Sequence, residues 1–343
     1  MKYYIIILFF ILLCFSCKTI PINSFEIIEK IIDYDSIYSD KDSPFNTITD
    51  MAVVNNVLIT QHANDEFHFS FIDMENGKLI RRWGKAGRGP EEYIQVGSGF
   101  SIFESQLVFL DAAKKEINYI PLQDLTDKKE QMEIKKEPYP YTVDFRPFHI
   151  DMLKDRKIAA GFFKEGYFGI LDSQNNIIPH TFDYPFAYDD IQGIDRGTVY
   201  QTRIKTNITQ NKFVIQTLAS DIFEIYDTGE DEIRRIYVSP FKYVPQIQKQ
   251  GRRYGLKGNK SIIGLMSLTV SDELICFTYS DEKYNNAHEN ALTSEEILCF
   301  NWNGEKIKKY ILPFPVSSFC IDRQYLYGVR YSGEESIIYR FKL

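Results

Sequence analysis

The chain has 343 residues, 44% of them hydrophobic and 15% aromatic, and a formal net charge of −7. That apolar content excludes an intrinsically disordered chain, which lacks the side chains to offset the entropy of ordering. The acidic balance argues against nucleic acid as a partner, because phosphate binding needs a basic footprint.

The N-terminus reads as an export signal. Met1 and Lys2 form a short positive region, and residues 5–15 are an unbroken apolar run. A spanning helix needs about 20 apolar residues, so the run is too short for a stable anchor and suits the core of a signal peptide. Ser16 then precedes Cys17. A small residue directly before a cysteine at this place resembles the lipobox of bacterial lipoproteins. The resemblance implies a signal peptide over residues 1–17, with Cys17 lipidated as the mature N-terminus. Lys18 carries no inner-membrane retention signal, so the outer membrane is the expected destination. The alternative is an ordinary cleaved signal peptide with Cys17 a bystander. Beyond it no apolar stretch reaches spanning length, and the body, residues 18–343, is expected to be soluble.

Along that body a hairpin recurs: a strand, a tight polar turn, then a strand that opens on apolar residues. Its copies fall at residues 49–60, 99–110, 149–160, 205–216, 266–277 and 318–329. The residues just after the turns are Val57, Leu107, Lys157, Phe213, Leu274 and Leu326, so the copies lie 50 to 61 residues apart. Such a period marks a repeat architecture. Third strands follow at residues 69–74, 169–172, 223–227 and 298–301, several of them running into Asn- or Gly-bearing turns that tolerate positive φ. Four strands per unit of about 50 residues is the arithmetic of a propeller blade. The fold class is therefore all-β, a six-bladed β-propeller with four-stranded blades. The sixth unit has room for only three strands before Leu343. Residues 25–32 are expected to supply the missing outermost strand and close the ring. A seventh blade hidden in the longer interval 227–265 is the alternative. Helical turns are expected only within 123–136 and the loops near 245–260 and 282–295.

Between the first two units, residues 83–93 hold a glycine-rich turn, Gly-Pro and an aromatic, and Asp111 ends a strand shortly after. Gly84, Gly87, Gly89, Pro90, Tyr93 and Asp111 resemble an NHL-type propeller repeat. In a chain with this N-terminus, the whole resembles the TolB-like six-bladed propeller lipoproteins. The resemblance implies the fold and a surface-lipoprotein setting; the motif itself occurs once. Gly84, Gly87 and Gly89 are expected to take backbone angles barred to other residues. Arg88 lies within the turn, and Pro90 fixes the next step of the crossing. A phosphate cradle would need a helix after the loop, and a strand follows.

No residue pattern supports a named reaction. The histidines show no paired metal-ligand spacing, and no nucleophile stands beside a base. His149 and Asp151 lie two apart on an innermost strand and would face the same side, toward the channel. Asp50, Asn207 and Asp272 are further channel candidates. Residues 249–260 pack five cations and three glycines into an acidic protein. Arg252, Arg253, Tyr254 and Lys257 in that loop are the candidates for clasping an anionic ligand, since guanidinium forks match carboxylates. Tyr279, Tyr284, Asn285, Asn286 and His288 form a second polar-aromatic loop. Cys276, Cys299 and Cys320 sit among apolar residues and read as buried thiols, with a disulfide between two of them as the alternative. The expected function is a monomeric, lipid-tethered binding module for a peptide, glycan or protein, using no cofactor and no metal. The rival is a metal-assisted hydrolase or lyase centred on the channel.

Overall fold

The computed structural model describes residues 21–39, 47–186, 191, 193–229, 232–251, 253–284, 292–332 and 335–343. Residues 1–20, Cys17 among them, and Arg252, Asn285, Asn286 and His288 lie outside them. Two strands come first, β1 (Ile28–Lys30) and β2 (Tyr34–Ser39). Blade one is β3 (Ile48–Val54), β4 (Val57–His62), β5 (Phe67–Asp73) and β6 (Leu79–Lys85). Blade two is β7 (Ser101–Phe103), β8 (Gln106–Asp111), β9 (Glu116–Pro121) and, after helix α1 (Leu122–Thr126), β10 (Lys135–Pro138). Blade three has β11 (Phe145–Met152), β12 (Arg156–Phe163) and β13 (Gly169–Asp172), its fourth position reduced to a bridge between Leu171 and Ile177. Helix α2 (Ile194–Val199) leads into blade four: β14 (Thr202–Asn207), β15 (Lys212–Thr217), β16 (Phe223–Thr228) and β17 (Ile233–Val238). A separate hairpin, β18 (Ile247–Gln250) and β19 (Arg253–Leu256), follows. Blade five is β20 (Ile262–Val270), β21 (Leu274–Lys283), β22 (Ser294–Asn301) and β23 (Lys306–Val316). Blade six is β24 (Phe319–Ile321), β25 (Tyr325–Ser332) and β26 (Glu335–Lys342), with β2 as its fourth strand.

The chain is thus a six-bladed propeller, and all six expected hairpins form the two inner strands of their blades. The turns explain why. Asn55 and Asn56 sit at φ 48° and 63°, and Glu104 and Ser105 at 48° and 61°, the paired left-handed conformation of a two-residue hairpin turn. Several expectations are corrected. Residues 25–32 do not close blade six: β1 runs parallel to β23 on the rim of blade five, and β2 takes the closing place, antiparallel to β26. The interval 227–265 holds the two-stranded β18–β19 hairpin. Within 123–136 only the start is helical, and α2 was not signalled by the sequence.

The core lies between blades. In β5, Phe69, Phe71 and Ile72 are all fully buried, so that sheet is covered on both faces. Phe69, Trp83, Tyr93, Phe100 and Phe109 join blades one and two, with Tyr93 and Phe109 centroids 5.0 Å apart. Phe223 meets Phe277 at 4.9 Å and Phe300 at 4.8 Å across blades four and five. Each such ring contributes about 1.5–3 kcal/mol by leaving water. Cys276 and Cys299 face each other across β21 and β22 as free thiols with Sγ atoms 2.8 Å apart, and Cys320 is buried on β24.

Lys157 breaks the apolar pattern of the six post-turn positions, and the structure gives the reason. Its stem is buried, and its ammonium reaches Ser173 O at 3.3 Å and the Glu137 carboxylate of blade two at 3.7 Å. Burial alone would raise the Glu137 pKa. Hydrogen bonds from Lys135, Tyr119 and Asn175, with the charge of Lys157, outweigh it and bring the carboxyl down to about 2. A carboxyl held low when folded stabilises the fold fully above its ordinary range and loses that contribution as pH falls toward the folded value. Glu137→Gln is therefore expected to be less stable than wild type in urea titrations at pH 7. The deficit should shrink below pH 4.5 and vanish near pH 2; a pH-independent deficit would show that the charge is not what matters.

Candidate functional site

Two hollows mark the ends of the propeller axis. One, of about 340 Å³, is lined where the innermost strands end, by Val54, Ile102, Asn207, Thr209, Asp272 and Ile321 among others. The other, of about 240 Å³, is lined where those strands begin, by Ile48, Arg203, Leu265 and Ser317, together with Val199 of α2, Leu256 of β19 and the Tyr284 and Leu292 segment. The first mouth is ringed by hairpin turns. The second is lined in part by elements outside the four-strand repeat, α2 and the β18–β19 hairpin.

Between the mouths the axis is filled by polar side chains that hold one another. Lys205 Nζ of blade four donates to Asp50 Oδ2 of blade one at 2.6 Å and to Phe100 O of blade two at 3.2 Å. Asp50 Oδ2 also accepts the Phe100 N–H at 3.2 Å. Asp151 accepts from Ser101 Oγ of blade two, from its neighbour Met152 N at 2.9 Å and from Thr206 N of blade four at 3.0 Å. Burial raises the Asp151 pKa despite Lys205 and these donors. Asn207 Nδ2 donates to Asp272 O at 3.0 Å, tying blade four to blade five. Of the channel candidates, Asp50, Asp151, Asn207 and Asp272 are thus placed on the axis as ties between blades.

His149 and Asp151 do not form a pair with each other. A bulge separates Pro147 from His149, and the imidazole tip lies against Gly99, where an added Cβ would come within 2.8 Å of it. Its Nε2 is buried without a hydrogen-bond partner among the described residues. Burial, then Lys205 and Arg203, hold its pKa well below the ordinary histidine value, so the ring is neutral at pH 7. Among the described residues no three His, Cys, Asp or Glu side chains come together as a metal-binding group.

The basic segment is the β18–β19 hairpin rather than an open loop. Tyr254 and Leu256 pack against the core of blades three and four, and Lys249 Nζ stands 5.6 Å from the Tyr254 ring. The Lys257 N–H closes the hairpin base on Gln246 O at 2.6 Å. Arg253 belongs to β19 by its backbone. The segment therefore lies beside the second mouth, away from Asp151.

The glycine-rich turn is a crossing between blades one and two. Gly84 has φ 77° and leaves room for Phe69, whose ring would lie 3.3 Å from an added Cβ. Gly87 leaves room for the Glu92 carboxylate. Gly89 is a correction: it is not among the left-handed residues, and its N–H instead donates to Glu92 Oε2 at 2.8 Å. Lys114 Nζ donates to Gly89 O at 3.0 Å and to Glu92 O at 2.5 Å, while the Pro90 carbonyl accepts from Lys136 at 3.5 Å. Asp111 receives the N–H groups of Ile94, Gln95, Ala113 and Lys114. Arg88 is exposed at the tip of this built turn.

Sequence reasoning missed Lys205 and Arg203. Their signal was alternation: both stand on the innermost strand of the fourth repeat, two residues apart, and so share its axial face.

This geometry of six radial sheets around a plugged axis defines a β-propeller. The TolB-like 6-blade propeller-like family matches residues 24–324, and the chain belongs to that family. Among solved structures it is similar to a Bacteroides fragilis protein described as exported, at 12% identity and TM-score 0.56, covering 92% of this chain and 99% of that one. A DUF4221 family member from Bacteroides vulgatus gives 12% identity and TM-score 0.57, covering 91% and 97%. The WD40 domain of Neurospora crassa Pan2 gives 9% identity and TM-score 0.50, covering 91% and 97%. At these identities the likeness concerns the fold. No curated protein matches the sequence.

The Asp50–Lys205 pair is nearly buried, at 10% and 16% side-chain exposure. Removing one partner of such a pair strands the other charge and costs about 3 kcal/mol or more. Lys205→Met is expected to lose about that much by urea denaturation, and Asp50→Asn in the same chain to restore part of it. A neutral single variant would remove the pair from the account of stability.

Proposed function

We propose that this chain is a lipid-anchored cell-envelope propeller that binds a peptide, glycan or protein on the face where its innermost strands begin. The carrying observation is the gathering of α2, the β18–β19 hairpin, Tyr284 and Leu292 around one mouth. The repeat does not need these additions, and the opposite mouth lacks them. The axial carboxylates argue for binding over channel chemistry. Asp50 and Asp151 already accept several hydrogen bonds each from lysine, serine and backbone N–H groups, which leaves little capacity for a metal. Export is supported by the signal-like residues 1–17 and by the description of the Bacteroides fragilis structure as exported. The multiple acyl chains of a lipoprotein anchor firmly where one would not.

Two experiments test this reading. Cells fed a labelled fatty acid should label the wild-type chain and not Cys17→Ala; equal labelling would remove the lipid anchor. In pull-downs from the native envelope, a partner held by wild type should be lost on joint Lys249→Glu and Lys257→Glu substitution. Unchanged capture would move the binding surface elsewhere.

A further inference from the structure

The mouth assigned above to binding contains one charge that its surroundings do not answer. Arg203 lines the 240 Å³ hollow, half-buried, among Ile48, Leu218, Leu256 and Leu265. A guanidinium carries five donors in a fixed fork and no acceptor. Among the described residues it makes no hydrogen bond and no ion pair. Asp50 is the acid whose field reaches it, and that carboxylate is already bridged to Lys205 at 2.6 Å. Lys205, in turn, is engaged by Asp50 and Phe100. His149, the other basic group near Arg203, is neutral and adds no competing charge. The half-buried fork is left to water, and a carboxylate would replace that water with a charge-assisted, two-pronged partner.

From this juxtaposition we infer that the hollow is a binding site for a small monocarboxylate with an apolar body, its carboxylate on the Arg203 fork and its hydrocarbon part among the leucines. The inference rests on the reading of this face as the binding face and adds to it a small-molecule site, distinct from the surface that takes the larger partner. An arginine–carboxylate pair is bidentate and directional, and Ile48, Leu218, Leu256 and Leu265 give the hydrocarbon part an apolar surface beside the polar Thr47, Thr49, Gln201 and Ser267. The hollow, of about 240 Å³, is also lined by Leu256, Tyr284 and Leu292, a volume that suits a small free acid.

The test is calorimetric titration of the purified full chain with hexanoate and benzoate, against 1-hexanol and benzyl alcohol as uncharged counterparts. Expected is saturable one-to-one binding of at least one acid, at least tenfold tighter than its alcohol. Arg203→Gln should weaken it at least tenfold, and Arg203→Lys should keep the preference for acid over alcohol. Leu256→Trp, which crowds the hollow without touching the charge, should also abolish binding, and urea denaturation midpoints matching wild type exclude a folding defect in each variant. Absence of saturable binding by wild type, equal affinity for acids and alcohols, or undiminished binding by Arg203→Gln would each overturn the inference. A wild type that ignores these acids yet still captures its envelope partner would sink this site alone. Loss of both would sink the binding face itself.

Discussion

Everything in this molecule follows from sheets that are apolar on both faces. A strand such as β5, with consecutive buried residues on either side, cannot stand at a surface. Each blade therefore needs a neighbour before it and behind it, and a row of such blades has no stable end except a ring. Aromatic side chains fill the wedges that open toward the rim. Toward the axis the blades converge, and polar side chains reach from one blade to the next.

The narrow axis creates the second demand. Innermost strands bring polar side chains and half-paired backbone groups into a space almost closed to water, and each needs a partner. Asp50, Asp151, Ser101, Lys205 and Asn207 meet it by reaching to other blades. Asp50, Asp151 and Asn207, channel candidates in the linear sequence, are thus cross-braces in the folded ring. Arg203 stands outside that mutual arrangement, and for this reason it carries a functional reading.

Much of the fold was legible because the repeat writes itself in local terms. Polar turn pairs such as Asn55 and Asn56 and the apolar openings that follow them need no tertiary knowledge to read. Closure was harder. Residues 25–32 and 34–39 are both short β-prone runs, and which one joins blade six depends on register against β26, a contact some 300 residues away in sequence. Hairpin β18–β19 was hidden by its charge, since a dense cationic run reads as a loop when the packing of Tyr254 and Leu256 is unseen. Lys157 shows the opposite limit. A lysine at a core position looked like an imperfect repeat until Glu137 of the adjoining blade appeared beside it. Of the candidate residues, the turn around Gly84 to Pro90 was readable as structure, whereas Lys205 and Arg203 were masked by the ordinary expectation that cations on strands face solvent.

The way β2 joins β26 has a consequence for biogenesis. Asp35 and Arg340 meet across 305 positions of chain, so the first strands to be synthesised must wait for the last before the ring can shut. Until then blade one lacks a neighbour on one flank, and an open, apolar sheet is exposed to any other nascent chain. A protein built this way benefits from being kept unfolded until the last blade has been made.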